Sequence, residues 1–137
     1  MQIKLESTPG SLNYKGTNER GQSVHLSGDK EAPSPMETVL MAVAGCSSID
    51  VELILKKMRQ DLQKVEVTVQ ATRAEEAPKV FKTIQIHYIL YGDIKEEKAK
   101  QAVELSMEKY CSVSLMLKAT VDITYTFEIR PAGGLEG

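Results

Sequence analysis

Ser34 to Cys46 reads "SPMETVLMAVAGC". Ser34, Pro35 and Glu37 are the marks of a helix start: a serine N-cap, a proline at the first helical position and a glutamate at the third that closes a capping box. After Glu37 the run is uncharged, and Leu53, Ile54 and Met58 continue at helical spacing, which predicts one long helix to about Arg59. Thr38 to Cys46 is apolar or small on every side, so this half is expected to be buried all round.

Working outward, the N-terminal segments "QIKLES", "SLNYKG" and "SVHLSG" predict three short strands, with turns at Pro9-Gly10, Gly16 to Asn18 and Gly28-Asp29. Downstream, Val65, Val67, Val69 and Ala71 alternate with polar residues, as do Ile84, Ile86, Tyr88 and Leu90. These are two half-buried strands, with "EEAPKVFK" as the connection of a hairpin. Asp93 with Glu96 repeats the capping pattern, and Ala99, Ala102, Val103, Ser106 and Tyr110 form the inner stripe of a second helix. Cys111 stands near a break or kink, with Val113, Leu115, Met116 and Leu117 beyond it. Val121, Ile123, Tyr125, Phe127 and Ile129 mark a last strand, and the tail after Arg130 is expected to fray. The order is strands, long helix, hairpin, helix, strand: an α+β fold in a single domain over residues 1–137. So apolar a helix is hard to cover in so small a chain, and a second subunit is the simplest cover.

The composition is that of a folded soluble domain, with 42% apolar and 26% charged residues. A formal net charge of -2 offers no basic field for phosphates, so nucleic acid is not an expected partner. The N-terminus has no secretory pattern, and Thr38–Ile49 falls short of the roughly 20 residues of a membrane span, so no membrane is expected either. The expected compartment is the cytoplasm.

The two cysteines, Cys46 and Cys111, match no CxxC redox or zinc pair. With His25 and His87 they are soft ligands scattered singly, so a zinc site is not expected. Free cysteine is also good core packing, which stays open as the role of both thiols. A reactive Cys46 stands roughly three turns into its helix, beyond the reach of the helix dipole, and needs a cation from elsewhere. Arg20, Arg59 and Arg73 are the candidates.

Three segments carry a family resemblance: "GDKEAPSPMETVLMAVAGCSSIDVELILKKMRQD", "EEAPKVF" and "AVELSMEKYCSVSLMLKATVDITY". They resemble the OsmC/Ohr family of thiol-dependent peroxidases, in particular the OsmC-like branch with SPMExVL before the first cysteine and EKYCSV around the second. The resemblance implies an OsmC-like intertwined homodimer whose strands wrap two central helices, with the active site near the subunit boundary. It also implies that Cys46 is the peroxidatic cysteine and Cys111 the resolving one. The substrate would be an organic hydroperoxide and the reductant a cellular dithiol, with no bound cofactor.

One departure matters. The family's acid, which holds a catalytic arginine, falls ten residues before the cysteine, where this chain has Met36; Glu37 is one residue late. The family's arginine lies in the N-terminal strands, where Arg20 is the candidate. Nine residues on a regular helix turn through about 900° and advance roughly 13.5 Å, so Glu37 cannot reach the Cys46 sulfur within one chain: it reads as a cap, the alternative being an approach to Cys46 from the other subunit where two central helices cross antiparallel. Two functions follow: a peroxidase acting through Cys46 and Cys111, or a non-enzymatic module that binds a small lipid-like or thiol-reactive ligand at the dimer interface.

Overall fold

The computed structural model describes residues 1–134. The chain divides into two compact units, Met1–Met41 and Ala42–Gly137.

The first unit is an antiparallel meander of β1 (Ile3–Ser7), β2 (Asn13–Asn18) and β3 (Ser23–Ser27). Gly16, paired with Leu5 and Val24, has no side chain, and Ile3 and Leu5 lie over it. Ile3, Leu5 and Val24 thereby share one apolar face that stays exposed. The turn expected at Gly16 to Asn18 comes later. Those residues complete β2, and the chain reverses where Asn18 N–H donates to Gln22 O and the Asn18 side chain accepts from the amides of Arg20 and Gln22. Gly21, at φ 81°, supplies the left-handed residue that this turn requires.

Helix α1 runs Pro35–Lys57 and begins as expected. Glu37 N–H donates to Ser34 Oγ at 3.1 Å, and Ser34 N–H donates to Glu37 Oε1 at 2.9 Å. Its end comes slightly before Arg59, which adopts φ 58°. Arg59 N–H donates to Lys56 O and Gln60 N–H to Leu55 O, the paired bonds of a Schellman stop with arginine in the usual glycine position.

In the second unit α1 buries Val43, Ser47, Val51 and Leu55, one stripe at four-residue spacing. Each of the three aliphatics is completely buried, worth about 1.5–3 kcal/mol apiece. The helix is not buried all round, because a single chain covers only this stripe: Met41, Ile49 and Leu53 remain more than half exposed. By length and composition α1 could cross a membrane. Its buried stripe makes it a core helix, and no membrane is implied.

The sheet of this unit has the order β4-β5-β6, with β4 (Asp61–Arg73) antiparallel and β6 (Asp122–Arg130) parallel to the central β5 (Phe81–Asp93). Ile84, Ile86, Tyr88 and Leu90 are buried along β5, as their alternation predicts. Gly92 is required where the hairpin strands draw together, since a Cβ there would lie within 1.9 Å of Asp61 O.

The connection from β5 to β6 carries α2 (Glu96–Leu105), a π-helical turn (Ser106–Tyr110) and α3 (Ser112–Leu117). Asp93 does not cap α2, because it ends β5 opposite Asp61. Lys95 takes the cap position without a side-chain bond, and its N–H donates to Gln60 Oε1. Ala99, Ala102, Val103 and Ser106 form the inner stripe, but the wider π turn rotates Tyr110 outward to half exposure. Met116, in short α3, is also exposed. Of the tail expected to fray, Ala132–Gly134 forms a short 3-10 turn, and residues 135–137 lie outside the described residues.

Candidate functional site

Cys46 and Asp50 sit four residues apart on α1, which stacks their side chains on one face. Cys111 comes from the break between the π turn and α3. Its N–H closes that turn on Ser106 O at 2.7 Å, after which the backbone opens to an extended conformation (φ -71°, ψ 102°). Its Sγ accepts from Ser114 N–H at 3.4 Å, so the thiol caps α3. The sulfurs of Cys46 and Cys111 and a carboxylate oxygen of Asp50 lie within 4.8 Å of one another.

Three contacts hold the two segments in this relation. Ser106 Oγ donates to Ser47 O at 2.9 Å, joining the end of α2 to α1 beside Cys46. Tyr88 Oη donates to Ser47 Oγ at 2.6 Å and approaches Met107 Sδ at 3.3 Å. Burial pushes the Tyr88 phenol up to about 12, with the Ser47 bond opposing, so it remains a neutral donor.

Cys46 is half-buried and Cys111 fully buried. Burial pushes the Cys111 thiol up, the Ser114 hydrogen bonds oppose, and proximity to Cys46 adds to the rise. Asp50 Oδ2 is buried with no hydrogen-bond partner among the described residues.

The sequence reading named Cys46 and Cys111 and missed Asp50; the four-residue spacing in "CSSID" was the available signal. The histidines take no part in this cluster. His87 bonds Thr126 at 2.7 Å and Glu128 at 2.9 Å between neighbouring strands, and His25 is exposed on β3. Each candidate arginine has another role: Arg20 Nε donates to Gln22, Arg73 Nε donates to Lys79 O, and Arg59 forms the end of α1. A separate cleft of about 500 Å³ opens among Thr68, Gln70, Gln85, His87, Thr124 and Thr126 and includes neither cysteine.

An α+β fold with two converging thiols, one in a long core helix and one at a helix break, is a class that family comparison sharpens. The OsmC-like protein family matches residues 28–126, and the chain belongs to that family. It is 47% identical over 136 residues to Protein YhfA of Escherichia coli K12, covering 96% of this chain and all of that one. A crystal structure of a hypothetical protein from Aquifex aeolicus VF5 superposes with TM-score 0.87 at 31% identity, over 95% of this chain and 96% of that one. An organic hydroperoxide resistance protein OsmC from Legionella pneumophila shares the fold at TM-score 0.70 and 17% identity, over 93% of this chain and 97% of that one.

Proposed function

We propose that the protein reduces organic hydroperoxides, with Cys46 as peroxidatic and Cys111 as resolving cysteine, as a homodimer in the cytoplasm. The observation that carries this reading is the approach of the two sulfurs to within 4.8 Å. Family membership supports a redox or peroxide-related function.

The chemistry needs only these thiols and an external dithiol. The Cys46 thiolate attacks the O–O bond. An S–O bond forms, the O–O bond breaks, and the leaving alkoxide takes a proton to become the alcohol. The Cys111 thiolate then attacks the Cys46 sulfenic acid, forming S–S as hydroxide leaves and is protonated to water. A dithiol returns both cysteines to thiols by exchange, becoming a disulfide itself.

Two features favour the second reading, a non-enzymatic module that binds a small lipid-like or thiol-reactive ligand at the dimer interface. Met36 stands where the family's acid is expected, and the raised Cys111 thiol is a weak nucleophile near neutrality. The discriminating experiment is peroxide consumption with a dithiol reductant, on the intact protein and on Cys46→Ser. Turnover lost in the variant supports the peroxidase. No turnover with alkyl hydroperoxides, together with a ligand retained through purification, supports the module.

A further inference from the structure

We infer that Cys46, Cys111 and Asp50 together form a binding site for one soft divalent metal ion of the zinc type, occupied only while both thiols are reduced. The inference rests on donor geometry and is independent of the peroxidase reading.

Three acidic donors converge here from two segments, with their ligand atoms within 4.8 Å of one another. Tetrahedral zinc at about 2.3 Å from sulfur and 2.0–2.2 Å from oxygen sets its sulfurs about 3.8 Å apart, so closure on an ion draws the sulfurs together by at most about 1 Å. The donors project from α1 and from the break that places Cys111, and the Ser106–Ser47 bond joins these supports. The supports of the site are therefore in place before any ion arrives, and only the donor side chains have to close.

The carboxylate supplies the second, separate observation. Asp50 Oδ2 is buried without a hydrogen bond among the described residues, an unsatisfied acceptor that a cation would satisfy. No lysine or arginine among residues 42–134 forms a hydrogen bond or ion pair with the three groups. Thiolate donors select zinc and similar soft ions over magnesium or calcium. Three protein ligands leave a fourth position for water.

Binding displaces a proton from each thiol to solvent. The ion then holds the sulfur lone pairs that would attack an oxidant. Conversely, joining the two sulfurs in a disulfide removes two of the three donors. Metal occupancy and thiol oxidation are thus mutually exclusive states of one site.

The test is anaerobic titration of the reduced full-length chain with cobalt(II), followed by thiolate-to-cobalt charge-transfer absorption and by displacement with zinc. The expected result is saturation at one ion per chain with the spectrum of a tetrahedral site, no signal from the disulfide form, and loss of at least about tenfold in affinity in Asp50→Asn. Cys46→Ser and Cys111→Ser should each weaken or abolish the band. Absence of charge-transfer absorption from the folded reduced protein would overturn the inference, as would undiminished affinity in a folded Asp50→Asn. Should that variant not fold, the comparison of reduced and disulfide wild type decides: equal cobalt spectra from both forms would overturn it.

Discussion

Tyr88 donates a 2.6 Å hydrogen bond to the hydroxyl of Ser47, the residue that follows Cys46, from the centre of the β4-β5-β6 sheet. This bond makes the rotation of α1, and hence the direction of Cys46, a property of the core. Tyr88→Phe should leave Ser47 Oγ without its donor and cost about 0.5–1.5 kcal/mol in urea denaturation. Disulfide formation should slow in the same variant, since the cysteine-bearing segments lose a tie. An unchanged midpoint and an unchanged rate would mean that the phenol has no part in orienting α1.

Met41, Ile49 and Leu53 leave α1 with an exposed apolar surface, and burying the part of each that is still exposed, a little over half, would contribute about 0.8–1.8 kcal/mol. A second copy is the expected cover. Light scattering should give a dimer at micromolar concentration, and Ile49→Lys should shift it toward monomer. A folded wild-type monomer under those conditions would remove the intersubunit setting proposed for the site.

Glu37 is engaged in both bonds of its capping box, so a local role is already satisfied. Ser34→Ala should cost about 0.5–2 kcal/mol. The Ser34 amide, and after it the Ser34 hydroxyl, holds the Glu37 carboxyl below its ordinary 4.5. His87 first, then Arg130, does the same for Glu128. A depressed folded-state value contributes stability above the unfolded value, and that stability is lost as pH falls through the folded one. Both contributions should therefore disappear on acidification below about pH 4.5; both groups are exposed, and salt should mask the effect. Glu37→Gln should flatten part of this acid limb while keeping the peroxide rate. A loss of about 100-fold in rate at unchanged stability would instead make Glu37 part of the chemistry.

The elements with one strong local signal were legible in the sequence. Ser34-Pro35-Met36-Glu37 announced the start of α1, and the strict alternation of Ile84 to Leu90 announced β5, because caps and period-two burial are set by neighbouring residues. The false cap at Asp93 shows the limit: the same spacing occurs in a residue that the sheet claims first. Tyr110 was misplaced because a π turn breaks the helical period on which the inner stripe was drawn. Cys46 and Cys111 were named through family resemblance; their approach depends on that π turn and on Ser47, Tyr88 and Ser106, three contacts distant in sequence. Asp50 was missed because a carboxylate at four-residue spacing on a charged half-helix has the pattern of a solvated face.

The claim at the centre of this account is that Cys46 and Cys111 act as one dithiol. The most direct measurement is mass spectrometry of non-reduced digests after treating the reduced protein with one equivalent of an alkyl hydroperoxide. The account predicts a single intramolecular Cys46–Cys111 disulfide, and in Cys111→Ser a Cys46 trapped as sulfenic acid and its over-oxidation products. Wild-type protein carrying sulfinic or sulfonic Cys46 beside an untouched Cys111 thiol would contradict it.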